Sequence, residues 1–200
     1  MRTVAEIQRE IRACSLCFPE GGNRPTAAGS ASARVMIIGQ APSRADERTG
    51  RMFSGPGGKR LRSWLERADI AESDVYFSAL TRCYPGASAS GKGDRVPTRQ
   101  EVRNCRPHLH AELSALQPRL VLLLGGMAVK EFLGPGALTQ FVGRLMPADS
   151  ALPFSQLLHD PKSAVLAPLP HCSGASLWLN KPENAALLDQ ALRAVADVPR

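Results

Sequence analysis

Residues 34–39 read Arg-Val-Met-Ile-Ile-Gly, four apolar side chains in a row closed by glycine. A short continuous apolar run ending this way predicts a strand buried on both faces of a parallel sheet. Three more runs have the same character: Val75-Tyr-Phe-Ser-Ala-Leu80, Leu120-Val-Leu-Leu-Leu124 and Ala164-Val-Leu-Ala-Pro168. Between and around them lie helical patterns. Thr3–Ala13 places Val4, Ile7 and Ile11 on one side, and Lys59–Ala68 does the same with Leu61, Trp64, Leu65 and Ala68. Thr98 followed by Glu101 is a capping box that starts a helix running to about Leu116. Met127–Leu133 and Glu183–Ala196 complete the set. Gln40–Gly58 and Tyr84–Val96 read as loops, and Gly134–Pro161 shows no clear element. The alternation predicts an α/β fold: a three-layer α/β/α sandwich around a mostly parallel four-stranded sheet. With no repeat and no linker, residues 1–200 read as one domain, in which residues 1–33 form a cysteine-bearing N-terminal segment. Ligands of such sheets bind at the carboxyl ends of strands, so the loops after Gly39, Leu80, Gly125 and Pro170 should frame one site.

The chain has 200 residues, 44% hydrophobic and 22% charged, a composition that fits an ordinary soluble protein better than a disordered one. Its formal net charge is +7 and its pI about 9.6. This balance fits a nucleic-acid partner or plain solubility. Arginines crowd the middle of the chain: Arg60, Arg62, Arg67, Arg82, Arg95, Arg99, Arg103 and Arg106. Guanidinium groups suit phosphate recognition. The N-terminal residues carry no apolar signal core, and the run Leu120–Leu124 is too short to span a bilayer. The chain therefore reads as a soluble, cytoplasmic monomer with no membrane partner.

Five cysteines in a reducing compartment favour metal ligation over disulfides. Cys14 and Cys17 share a C-x-x-C spacing that turns both thiolates toward one metal. Cys83 and Cys105 flank the Tyr84–Val96 loop, so folding can bring them together. Four thiolates suit either a [4Fe–4S] cluster or Zn, in a structural role. Cys172 stands apart.

Three segments together resemble one family. Ile38-Gly-Gln-Ala-Pro-Ser43 with Asp46-Glu47, then Gly50-Arg-Met-Phe-Ser-Gly55 and Gly57, is similar to the first motif of the iron–sulfur, family 4-like branch of the uracil-DNA glycosylases, roughly G-E-A-P-G-x-x-E-D-x-x-G-x-P-F-V-G-x-A-G. Val75–Cys83 resembles the second strand of that branch, V-Y-I-T-N-x-x-K-C. Leu169-Pro-His-Cys-Ser-Gly174 resembles its late H-P-S motif. The likeness runs from Cys14 to about Ala194. It implies a [4Fe–4S] cluster on Cys14, Cys17, Cys83 and Cys105, and hydrolysis of the N-glycosidic bond to a damaged base in DNA, typically uracil.

The resemblance also assigns roles. A base must leave the duplex to be reached, and it needs an aromatic face to stack on; Phe53 occupies that position. The base departs as an anion, and His171 is placed to donate to it, with backbone N–H groups near Gln40 and Ala41 assisting. Asp46 would orient the attacking water together with Gln40. Ser54, Gly55, Gly57 and Lys59 at a helix start would hold one phosphate, and Ser173 and Gly174 a second. Leu177 or Trp178 would fill the space the base vacates. His108, His110 and His159 lack motif context and read as surface residues. Four positions depart from the family pattern. Gln40 replaces Glu and cannot act as a base at neutral pH. Ala79 replaces the Asn that reads uracil, Cys172 replaces Pro, and Ser43 replaces Gly. These changes put uracil specificity in question. They leave three outcomes: a broader or weaker glycosylase, one that prefers single-stranded or mismatched DNA, or a damage-binding module without hydrolysis.

Overall fold

The computed structural model describes residues 2–19, 26, 28–91, 93–151, 154–174 and 176–199. Residues 20–25 and 27 of the loop expected after Cys17 lie outside them. Described helices are α1 (Val4–Ala13), α2 (Arg44–Thr49), α3 (Pro56–Arg67), α4 (Arg99–Leu116), α5 (Gly126–Leu133) and α6 (Pro182–Ala196). The strands are β1 (Val35–Gly39), β2 (Val75–Ala79), β3 (Leu120–Leu124), β4 (Met146–Pro147) and β5 (Val165–Leu169). They form one sheet in the order β2-β1-β3-β5-β4. All neighbours are parallel except β4, which pairs antiparallel with β5.

Side-chain alternation along each strand separates two cores. Val35, Ile37, Val75, Phe77 and Leu122 face α3 and α6, meeting Leu61, Trp64, Leu188 and Leu192. Met36, Ile38, Tyr76, Val121 and Leu123 face α4 and α5, meeting Val102, Leu109, Leu113 and Val129. A strand apolar on both faces needs cover on both, and this is why β1, β2 and β3 are buried at every residue. Helix α1 lies outside this sandwich and packs on α4 through Ile7, Ile11 and Ala111.

The expected α/β sandwich is present, with three corrections. The sheet has five strands, because Met146–Pro147 adds a two-residue edge strand too short to carry any periodicity. The stretch 40–58 is not all loop: Ser43 and Asp46 form a capping box that nucleates α2. Helix α3 begins at Pro56, three residues before Lys59, with Gly55 as N-cap and proline in the first turn. The Thr98–Glu101 capping box forms as expected. Arg95 grips Glu101 through two contacts of 2.8 and 2.5 Å, and that contact first of all holds the Glu101 carboxyl down at about 2.

The chain also buries an ion pair. Glu112 lies on the apolar stripe of α4, and its side chain is 0% exposed; that of Arg82 is 2%. Glu112 accepts from the Tyr76 hydroxyl at 2.9 Å, from Ser78 Oγ at 2.9 Å and from Arg82 Nη2. Glu112→Ala strands a buried guanidinium and is expected to cost about 3–5 kcal/mol. Tyr76→Phe, which removes one neutral donor, should cost about 1–3 kcal/mol. Chemical denaturation of both variants checks the order; equal small losses would show that the pair is not structural.

Candidate active site

Strand β1 ends on Gly39, which pairs with Ala79 at the end of β2. The Phe53 ring lies against this edge: a Cβ added to Gly39 would sit 3.1 Å from Phe53 Cζ. The ring also meets Phe77, with centroids 5.7 Å apart and planes tilted by 50°. Phe53 takes a left-handed backbone, φ 54°, which a bulky residue adopts only when its surroundings enforce it. Here they do. Arg62 Nη1 donates to the Phe53 carbonyl at 2.8 Å. A Cβ at Gly58 would lie 1.7 Å from the same oxygen, so the first turn of α3 closes on Phe53 only because residue 58 is glycine.

Asp46 fixes the turn from the other side. It is 4% exposed, and its oxygens accept from Ser43 N at 2.8 Å, Ser54 N at 2.7 Å and Ser54 Oγ at 2.9 Å. These contacts make the carboxylate a brace of the motif loop. Its neighbour Glu47 differs: Glu47 Oε1 is buried with no hydrogen-bond partner among the described residues. Gln40 and Ala41 are half-buried at the start of the loop, and the Gln40 carbonyl accepts from Thr81 N at 3.3 Å. Ala79 is fully buried, and its carbonyl accepts from Arg82 Nη1.

His171 follows β5 and leans on the turn after β3. Gly125, φ 91°, makes room for it: a Cβ there would lie 3.0 Å from His171 Cδ2. Ser173 N donates to His171 Nδ1 at 3.2 Å, and Ser173 Oγ lies 2.8 Å from the same nitrogen. An Nδ1 that accepts from a backbone N–H holds no proton, so the neutral ring carries its hydrogen on Nε2. Burial pushes the imidazole below its ordinary 6.5, which favours that neutral form.

The α3 start joins the two halves of the site. A Cβ at Gly57 would lie 3.4 Å from Cys172 Sγ and 3.5 Å from Ser173 Cα, and Arg60 Nη1 donates to the Ser173 carbonyl at 3.3 Å. Cys172 is thus a packing residue beneath the helix start, its thiol pushed up to about 11, chiefly by burial. Ser54, Lys59 and Gly174 are exposed around this rim, with Gly55 half-buried beside Ser54. Leu177 is 73% exposed, whereas Trp178 packs against the core. His159 is exposed as expected. His108 and His110 are half-buried on α4 instead of lying on the surface, and burial lowers both.

The four thiols come from the end of α1 (Cys14), the turn after it (Cys17), the chain after β2 (Cys83) and α4 (Cys105). All are free. Burial, then the thiols of Cys105, Cys14 and Cys17, pushes Cys83 up to about 12. Burial likewise raises Cys105. Arg82 N donates to Cys105 Sγ at 3.4 Å, and Asn104 Nδ2 to Cys17 Sγ at 3.5 Å. Among the described residues no three potential ligands are drawn into a metal-ready group. The donor set still fits a cluster or Zn, since Cys83 and Cys105, raised by burial and by the neighbouring thiols, ionise readily only beside a cation.

Residues 26–196 match the family model described as the Uracil DNA glycosylase superfamily, and the chain belongs to that family. Three relatives are each described as a type-4 uracil-DNA glycosylase. The Archaeoglobus fulgidus protein is 30% identical over 65% of this chain and 63% of its own length. The Pyrobaculum aerophilum protein is 33% identical over 55% and 50%. The Thermotoga maritima protein is 28% identical over 66% and 65%. The chain thus spans half to two thirds of the length of these relatives.

Gly58→Ala tests the central contact of this site. The added methyl collides with the Phe53 carbonyl, and the backbone must shift to admit it. The variant is expected to lose about 1–3 kcal/mol of stability, read by thermal melting, as overpacked sites do. An unchanged melt would mean that α3 and Phe53 are not locked together.

Proposed function

We propose that this chain is a DNA glycosylase that hydrolyses the N-glycosidic bond of a deaminated base flipped out of DNA, uracil first among them. One observation carries the reading: Phe53 lies over the carboxyl end of β1, and His171, held in its neutral Nε2–H form, sits over the end of β3. The descriptions of the relatives agree with it. A flipped base stacks on Phe53, and its O2 turns toward His171 Nε2. As the bond to C1′ lengthens, negative charge gathers on the base. The Nε2–H and the backbone N–H groups near Gln40 and Ala41 stabilise it. Gln40 aligns water by hydrogen bonding but takes up no proton. Asp46 acts through the loop it braces. Ser54, Gly55, Gly57, Lys59, Ser173 and Gly174 receive the flanking phosphates, and Leu177 enters the stack.

Cys14, Cys17, Cys83 and Cys105 would hold a [4Fe–4S] cluster, with Zn as the alternative. When bound, the cluster supplies a structural cross-link between the N-terminal segment, β2 and α4. Ala79 favours a second reading within the same class. A methyl group cannot read the Watson–Crick edge, so discrimination against other deaminated bases falls, and a weak or inactive damage binder becomes the limiting case.

Oligonucleotides carrying uracil, hypoxanthine or xanthine, incubated with the holoprotein and then cleaved at abasic sites by alkali, test the reading. Cutting is expected, with His171→Ala reducing kcat by about 10²–10³. No cutting of any substrate by protein that retains its metal would sink catalysis. Because burial holds the His171 pKa below 6.5, kcat should stay level from pH 8 down through 7, and any change linked to His171 should appear only on the acid side of 6.5. A protein-limited acid limb centred above 6.5 would contradict the assignment.

The cofactor is read separately. Brown protein absorbing near ~400 nm with about four irons per chain is expected, and Cys83→Ser should bleach it. A colourless protein that binds Zn would replace the cluster with the alternative.

A further inference from the structure

Five of the eight mid-chain arginines already face a carboxylate. Arg62 bonds Glu72 at 2.7 Å, Arg67 bonds Asp189 at 2.6 Å, Arg95 bonds Glu101 at 2.5 Å, and Arg106 bonds Glu131 at 2.5 Å. Arg82 is buried against Glu112. A guanidinium already facing a carboxylate offers little to a phosphate.

Three exposed cations near the motif loop make no salt bridge among the described residues, although Arg51 lies close enough to Glu72 to help Arg62 lower its carboxyl. Arg44 and Arg48 stand one turn apart on α2, and Arg51 follows the left-handed Gly50. All three are exposed. Helix α2 is fixed against the start of α3 at both its ends: a Cβ at Gly55 would touch Ala45 Cβ at 3.5 Å, and Thr49 Oγ1 donates to Ser54 Oγ at 2.9 Å. The three arginines therefore border the rim formed by Phe53 and Ser54. The amphipathic logic is visible in the helix itself, where Asp46 points inward and Arg44 and Arg48 point out.

From this arrangement we infer that Arg44, Arg48 and Arg51 form a phosphate-tracking ridge that binds the sugar–phosphate backbone beside the flipped nucleotide. The partner is DNA backbone of any sequence. The inference rests on the glycosylase reading for the identity of the partner but not for its catalysis. Its contribution is electrostatic: each phosphate contact releases counterions and steepens the fall of affinity with salt.

The test is binding of the holoprotein to an undamaged duplex, measured by fluorescence anisotropy between 50 and 200 mM salt. Arg44→Gln/Arg48→Gln/Arg51→Gln should flatten the slope of log K against log salt by about 2.7, or about 0.9 per contact. Over that fourfold range the wild type should then lose about 40-fold more affinity than the variant. The single change Arg48→Gln should flatten it by about 0.9, which keeps the test available if the triple variant folds poorly. A control triple variant removes the exposed Arg34 and Arg119 before β1 and β3, at the amino ends of the strands and so away from the site, and Arg193 near the end of α6. It should leave the slope unchanged. An unchanged slope in the α2 variants, or an equal loss in the control, overturns the ridge. If no base is excised yet the slope falls only in the α2 variants, the ridge stands and catalysis falls; the converse leaves a glycosylase without this ridge.

Discussion

Glu112 and Arg82 form the contact on which the two ends of this molecule depend. A buried ion pair gains little over well-packed apolar residues, because desolvation offsets most of the Coulomb attraction. Its worth lies in what it fixes. Glu112 draws Tyr76 and Ser78 of β2 onto α4. Arg82 turns back to the Ala79 carbonyl through its side chain and reaches Cys105 through its backbone N–H. The edge that faces Phe53 and the helix that carries a candidate cluster ligand are therefore locked in one register. Breaking either charge leaves the other stranded in the core. A cross-link through the four cysteines would act on the same chain segment, next to the polar lock, because Arg82 N already donates to Cys105 Sγ.

The aromatic face of the site depends on a second constraint, a strained turn held from three directions. Left-handed Phe53 is unfavourable by itself. Arg62 holds its carbonyl, Asp46 holds the next residue, and Gly58 allows the helix to close over it. Arg62 is in turn gripped by Glu72. The ring is thereby set in place before any ligand arrives. Ligand binding need not supply the ordering entropy that a loose loop would demand.

Much of this was legible in the sequence. The four apolar runs give the parallel strands to within about a residue, because a strand buried on both faces has no other pattern. Thr98 and Glu101 give a helix start for the same local reason. The pair Ser43 and Asp46 has the same three-residue spacing, yet its place in a family motif draws attention to chemistry, and the short helix it caps goes unread. Glu112 carried a signal too: an acid spaced with Leu109 and Leu116 on an apolar stripe must have a buried partner. The partner itself, Arg82, lies thirty residues away and depends on tertiary packing. The ion pairs that engage the mid-chain arginines are equally invisible, since Arg67 meets Asp189 across 122 residues. With those set aside, the exposed arginines of α2 remain, together with Arg60, Arg99 and Arg103, as cations that no sequence pattern could have sorted from the paired ones.

The chemistry of the proposed site follows from which groups are left unoccupied. Gln40 is no base, and the Asp46 oxygens already face three donors. Of the two acids in the motif loop, Glu47 keeps a buried Oε1 with no hydrogen-bond partner among the described residues, so any proton abstraction from water would fall to it rather than to Gln40. His171 cannot abstract it through Nδ1, which accepts from Ser173, and its Nε2 already bears hydrogen. What the site offers in preformed geometry is a donor for an anion and a flat face for a ring. That combination suits a reaction in which the base leaves first and water captures a sugar already carrying positive charge. In such a reaction the demand on the water is small and the demand on leaving-group stabilisation is large. Backbone contacts along α2 would bind substrate and transition state alike and so assist capture rather than bond cleavage. In the proposed reaction the division is physical: charges at the rim would gather the polymer, and a neutral, desolvated imidazole would deal with the base.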